Sequence, residues 1–209
     1  FTNPGDGVLI QEPVCYPFRR CVEGYGRTVV NNVLVEERDA DGHLAYRIDF
    51  DDLEKKAADF RVKLMLFCNP HNPVGRVRTR EEVAQICKDN GVLLLSDEIH
   101  GDLIMGERPF TSVMQLTADL YDNAIVCNAT SKTFNQAGLM NSNIWVPNKG
   151  IRDYFNAHMY GLVINGPSNF ARAAVMAAYN EGERWLEELL VYVRENDRHL
   201  KERLVAAFP

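Results

Sequence analysis

The sequence predicts an α/β domain, and two observations carry that expectation. Short apolar runs alternate with amphipathic stretches along most of the chain, the pattern left by strands separated by helices. One run, residues 92–96 (VLLLS), is apolar almost throughout, which suits a central parallel strand covered on both faces.

Residues 8–10, 28–30 and 33–35 read as short strands, with a helix after Pro17 inside the segment 15–24. From Asp49 to Ala58 acids come first and lysines later, the order the helix macrodipole favours. Residues 64–67 (LMLF) form a buried strand. Thr79 and Glu82 match a capping box, Thr79 as N-cap and Glu82 reaching back, and Gly91 stops that helix where left-handed backbone costs least. After the strand at 92–96, residues 125–127 and 143–146 supply two more. From Lys149 onward the pattern is mostly helical. A helix is expected over 171–180 and another from Glu183 to about Ala207, the latter with apolar Trp185, Leu189, Tyr192, Leu200 and Leu204 as a stripe for core or subunit contact.

A chain of 209 residues can bury a sizeable core as one domain, and 46% hydrophobic with 25% charged residues argues against disorder. The net charge of -6 and the lack of a Lys/Arg cluster argue against a nucleic-acid partner. The five cysteines (15, 21, 68, 87, 127) show no C-x-x-C pairing and the histidines do not join them at zinc spacing, so reduced thiols in a cytosol are expected and no metal is. No stretch approaches 18 uninterrupted apolar residues and no secretory leader opens the chain, so neither membrane insertion nor export is expected. Starting at Phe1 and stopping at Pro209 directly after a helical pattern, the chain is expected to be a fragment.

Lys132 stands out. It follows the apolar residues 124–127 and is hemmed in by Ala129, Thr130, Ser131 and Thr133, where an ordinary surface lysine sits among other charges. An amine so placed is a candidate nucleophile, provided its neutral form is accessible and a carbonyl is presented to it. Two upstream segments supply candidate partners: Asn69-Pro70-His71-Asn72-Pro73-Val74-Gly75 and Asp97-Glu98-Ile99-His100. All three segments follow strands. In open α/β sheets ligands bind where the strands' carboxyl ends open into a crevice, so the three can converge on one pocket. The plainer alternatives are a solvated loop lysine, a strand-end carboxylate capping a helix or paired with an arginine, a turn asparagine between prolines, and a packed core histidine.

Together these segments resemble the pyridoxal-phosphate enzymes of the class I/II aminotransferase superfamily. Within it the chain is most similar to the cystathionine β-lyase and cysteine-S-conjugate β-lyase branch, in Ser131-Lys132-Thr133-Phe134-Asn135, in Asp97 to His100 and in Gly161 to Asn169. The resemblance runs from Asn3-Pro4-Gly5-Asp6 to the last helix. It implies a three-layer α/β/α domain with a mostly parallel sheet: residues 1–209 would be part of the cofactor-binding large domain, with helices from about residue 170 leading to a small C-terminal domain. It also implies a pyridoxal 5'-phosphate cofactor, an amino-acid substrate, a homodimer and a cytoplasmic enzyme. The segment 165–169 would be either an interface loop bordering the neighbouring active site or, read without the family, a loop before a helix with Ser168 as N-cap.

By the same resemblance Lys132 would hold the cofactor aldehyde covalently and later move the proton of the substrate Cα, and Asp97 would face the pyridine nitrogen. Asn72 would donate to the cofactor's phenolic oxygen. His100 stands where many aminotransferases have a tyrosine with that same role, and Thr130 and Ser131 are the hydroxyls placed to hold phosphate. The pattern also departs from the superfamily. Ala129 replaces a Ser or Gly, Met140 replaces an arginine, and Cys15 stands where an aromatic normally stacks on the ring, so either Tyr16 takes over or stacking is weakened. The β-lyase branch also tends to lack that arginine. The expected reaction is therefore carbon-sulfur β-elimination, with an amino-acid aminotransferase as the alternative and a catalytically inert fragment or pseudoenzyme as the second.

Overall fold

The computed structural model describes residues 1–38, 42–77, 81–106, 109–164 and 166–208. A six-stranded sheet in the order β2-β1-β5-β6-β7-β8 forms the frame, built from β1 (Gly7–Ile10), β2 (Thr28–Asn31), β5 (Val62–Cys68), β6 (Leu93–Asp97), β7 (Ala124–Asn128) and β8 (Asn143–Trp145). Every neighbouring pair is parallel except β7 with β8. The helices between the strands are α1 (Pro17–Gly24), α2 (Phe50–Ala57), α3 (Glu81–Asp89), α4 (Ala118–Tyr121) and α5 (Thr130–Thr133); α6 (Lys149–Gly161), α7 (Asn169–Glu181) and α8 (Glu183–Ala207) follow β8.

The alternation of side chains along each strand sorts the core into two layers. On one face Leu9, Met65, Phe67, Leu94 and Val126 pack with Leu53 and Ala57 of α2, Val83 and Cys87 of α3 and Leu120 of α4. On the other, Val8, Ile10, Leu64 and Leu66 pack with Val22 and Phe18 of α1. That is the three-layer arrangement the resemblance implied. β6 departs from the expectation of equal cover: Leu94 and Ser96 are buried, whereas Leu93, Leu95 and Asp97 on the α1 side are only half-buried.

Local chemistry sets the boundaries. Asp49 caps α2 by accepting from the Asp52 N–H at 3.1 Å, Asp51 and Asp52 occupy its first turn, and Lys55 and Lys56 its last. Gly91, at φ +65, lets the chain turn from α3 into β6. Ser168 caps α7 through the Ala171 N–H at 3.2 Å. The expected cap at Thr79 lies outside the described residues, as does Asn165.

Two expectations are corrected. The strand expected at 33–35 is instead the run-in to β3 (Val35–Arg38), which pairs antiparallel with β4 (Leu44–Arg47) in a separate two-stranded sheet. Asn32 is the reason: it is buried just past β2, accepts from Gln11 Nε2 at 2.8 Å and donates to the Asp49 carbonyl at 3.0 Å, so the chain leaves the main sheet there. Of the core or subunit contact expected of the α8 stripe, only the core half is overturned, since Tyr192, Leu200 and Leu204 are exposed and α8 has no buried residue.

Phe67 is fully buried between the sheet and α2–α3, whereas Phe60 is 82% exposed at the turn before β5. Phe67→Ala is expected to lower the unfolding free energy by about 3–5 kcal/mol, and Phe60→Ala to change it by less than about 0.5 kcal/mol; chemical denaturation of the two variants checks both.

Candidate active site

β1 lies between β2 and β5, so the chain reverses its direction of travel across the sheet between β1 and β5. Such a reversal opens a crevice at the strands' carboxyl ends. Here the loops leaving the two strands are tied together across it: His71 Nε2 donates to the Pro13 carbonyl at 2.9 Å. The loop after β5 closes on itself, with the Gly75 N–H on the His71 carbonyl and the His71 N–H on the Arg76 carbonyl, both at 2.8 Å. Gly75 takes φ +67 in that turn, a conformation that disfavours a side chain.

Asn72 sits in this loop. Sequence reasoning missed what holds it: the Cys68 thiol donates to the Pro70 carbonyl at 3.4 Å and accepts from the Asn72 N–H at 3.5 Å. A cysteine at a strand end gives no such signal in a sequence. Asn72 and His100 line one cavity of about 580 Å³, together with Arg76, Leu103, Ile104 and Met105. That volume lies in the range that accepts a small organic ligand.

Asp97 ends β6 in register with Cys68 of β5 on one side and Cys127 of β7 on the other. Strand alternation then separates two adjacent acids. Glu98 turns to the α2–α4 side, where it is buried and accepts from Ser96 Oγ at 3.0 Å and the Val113 N–H at 2.9 Å. Asp97 turns to the α1 side and accepts from the Ile99 N–H at 3.1 Å. Glu98 is thus occupied by the scaffold, and Asp97 faces the crevice.

The charges converge there. Burial pushes the Asp97 carboxyl above the usual carboxylate range, against the pull of the Ile99 N–H and of the positive charges of His100 and Lys132. Burial also holds His100 below the ordinary histidine value, with Asp97 opposing and Lys132 reinforcing. Asp97, His100 and Lys132 therefore lie close enough for each charge to act on the others. Burial thus favours the neutral imidazole of His100, which can donate from one ring nitrogen. The Cys127 thiol beside Asp97 is pushed up to about 12 by burial and by the charges of Asp97 and Glu98, so it stays protonated.

Lys132 is carried by α5 and is exposed to solvent. Its helix is pinned from both ends. Thr130 Oγ1 donates to Gln136 Oε1 at 2.8 Å, Gln136 Nε2 reaches the Ala174 carbonyl of α7 at 3.4 Å, and Thr133 Oγ1 donates to Asp102 at 3.0 Å. Thr130 is buried with its proton committed to Gln136, which leaves half-buried Ser131 as the hydroxyl open to a ligand. Tyr16 does not join the cluster: it is 68% exposed, with the Arg20 guanidinium 4.7 Å from its ring centre. Met140 is 90% exposed in left-handed backbone at φ 51.

Comparison with known proteins agrees with this geometry. Residues 1–208 match the family described as aminotransferase class I and II. The chain is 42% identical over 212 residues to cystathionine beta-lyase PatB of Bacillus subtilis, covering all of this chain and 54% of that protein. It is 34% identical to protein MalY of Escherichia coli over all of this chain and 53% of that one. Among solved structures, cystalysin from Treponema denticola, which contains pyridoxal 5'-phosphate, superposes with a TM-score of 0.91 at 36% identity over 100% of this chain and 52% of that one. The PLP-bound C-S lyase from Staphylococcus hominis gives 0.83 at 34% identity, over 97% and 50%. The chain thus spans about half the length of the relatives it matches. A match over nearly the whole chain, on a mostly parallel sheet with Asp97 and Lys132 within reach of each other's charge, has one reading: the chain belongs to the aminotransferase class I and II family.

Proposed function

We propose that the full-length protein is a pyridoxal-phosphate-dependent carbon-sulfur β-lyase that cleaves cystathionine or cysteine S-conjugates to a thiol, pyruvate and ammonia. The observation that carries this reading is the partly buried Asp97 carboxyl with an amine and an imidazole acting on it at the mouth of adjacent parallel strands. A carboxyl that burial pushes upward favours a cation or a shared proton beside it, and a protonated pyridine nitrogen is such a partner. The residues present therefore suit the cofactor. Bound there, pyridoxal phosphate supplies an electron sink that makes a carbanion at the substrate Cα tolerable.

The protein's own residues do the rest. Asp97 would hold a proton at the cofactor's ring nitrogen. Asn72 and His100, which line the same cavity, would donate to its phenolic oxygen. Ser131 would hold its phosphate, with Thr130 shaping the turn behind it. Tyr16 would cover the cofactor ring only by turning away from Arg20, and Cys15 beside it would leave that face thinly stacked. Lys132 Nζ would hold the cofactor's aldehyde and, as a free amine, would take the proton from the substrate Cα.

The names of the relatives support elimination over transamination, as does Met140 in place of a phosphate-binding arginine. The aminotransferase reading stays second, because relatives of 29–31% identity include aspartate aminotransferases. The homodimer and the further C-terminal domain belong to the same proposal: apolar Tyr160, Val163 and Phe170 around the α6–α7 connection are more than 70% exposed, as subunit contacts would be. Five free thiols suit a cytosol. Among the described residues no helix is long and apolar enough to cross a membrane.

Incubation of the full-length protein with L-cystathionine is expected to release pyruvate and free thiol in equal amounts. Exchange with a 2-oxo acid and no pyruvate would favour the aminotransferase instead. Asp97→Asn separates folding from chemistry. Because the folded carboxyl sits above its unfolded value, the native state binds the extra proton, and stability falls as pH rises from the unfolded value through the folded one. Without cofactor, Asp97→Asn is therefore expected to melt at or above the wild-type temperature at pH 7 and to show no gain near pH 3. With cofactor it should lose roughly 100-fold or more in kcat/KM, as expected from about 3 kcal/mol or more for half-removing a buried charge pair. Thermal melts across pH, paired with kinetics, check the two halves.

A further inference from the structure

The cavity that Asn72 and His100 line is also lined by Leu103, Ile104 and Met105, three apolar residues in a segment without regular secondary structure. Its backbone is gripped from a helix 90 residues away. Arg194 of α8 donates from Nη2 to the Ile104 carbonyl at 3.0 Å and from Nε to the Met105 carbonyl at 3.1 Å. Two adjacent carbonyls on one planar guanidinium fix both the position and the tilt of a peptide, which a single contact cannot do.

The same helix is anchored near its start to the lysine-bearing segment. Trp185 stacks on Phe134, two residues past Lys132, with ring centres 5.6 Å apart and an interplanar angle of 30°. Gly182 lets that ring come close: a Cβ there would meet Phe134 Cε1 at 2.5 Å. Arg194 lies nine helical steps beyond Trp185, a rise of about 14 Å. α8 thus spans from the lysine side of the site to the apolar wall.

We propose that Arg194 is a positioning residue that sets the apolar wall at Leu103 to Met105, and that this wall receives the apolar part of a thioether side chain beyond the sulfur. The proposal rests on the reading that the cavity at Asn72 and His100 admits the amino acid. It predicts which substrates depend on Arg194: those with atoms beyond Cβ and Sγ do, and those without them do not.

The test uses the full-length, cofactor-loaded protein and a ligand that cannot eliminate. In 2-amino-5-phenylpentanoate a methylene replaces the sulfur of S-benzylcysteine, so binding is read by absorbance titration without turnover; L-alanine is the short control. Arg194→Ala is expected to weaken the phenyl analogue about three- to tenfold, in line with the loss of one or two exposed charge-assisted hydrogen bonds, and to leave alanine within twofold. Arg194→Lys keeps the charge but not the fork, and should fall between. Hydrogen exchange should speed up in Arg194→Ala at amides 103–106 and stay unchanged at 93–97. Equal weakening of both ligands, no weakening of either, or unchanged exchange at 103–106 would overturn the proposal. Should Arg194→Ala fail to fold, Arg194→Lys decides by the same ligand ratio and the same exchange. Pyruvate release by the wild type reads the lyase function separately, so its absence alongside a shifted ligand ratio removes the lyase and leaves the wall.

Discussion

A carboxyl at the end of a central parallel strand is the constraint on which the site depends. Parallel pairing of β5, β6 and β7 brings Cys68, Asp97 and Cys127 into one row, and strand alternation turns all three toward the same face. Each flanking thiol is a weak polar group that offers Asp97 little solvation, and the protonated Cys127 adds no charge of its own. Burial holds the carboxyl above its ordinary value while the charges of His100 and Lys132 pull it down. Every role assigned to the other residues presumes that arrangement.

The scaffold around the row is largely made of side-chain ties between loops. His71 joins the loops after β1 and β5, Cys68 carries the Asn72 N–H, and Gln136 hangs the lysine segment on α7. Such ties matter because residues on loops keep catalytic geometry only when the loops are pinned to rigid elements. The neighbouring acid, Glu98, shows the contrast: one position along the strand its side chain meets Ser96 and the Val113 N–H and becomes part of the frame.

Much of this was legible in the sequence, and the rest was hidden for physical reasons. The strands β5, β6 and β7, the capped start of α2 and the extent of α8 follow from local patterns of apolarity, acids and glycine, so sequence reading places them to within a residue or two. Asp97, Lys132, Asn72 and His100 stood out as candidates because each lies at or shortly after the end of a strand. The β3–β4 hairpin was not, since Glu36, Glu37 and Arg38 lack the apolar alternation of a half-buried strand. The direction of β8 was also hidden, because antiparallel pairing with β7 is a property of the partner. The hold of Gln136 on Thr130, the turn of Tyr16 toward Arg20 and the reach of Arg194 to Ile104 and Met105 depend on side chains meeting in space, and no periodicity records them. The exposure of Lys132 belongs with these, since small and hydroxylic neighbours in sequence do not set how far a side chain is buried.

The central claim is that one amine, Lys132, carries the cofactor beside Asp97. Borohydride reduction of the full-length protein loaded with pyridoxal phosphate, followed by digestion and mass spectrometry, tests it directly. The account predicts a single phosphopyridoxyl group on the peptide bearing Lys132, with none retained in Lys132→Ala. A stable label on another lysine instead, or no label at all, would contradict it.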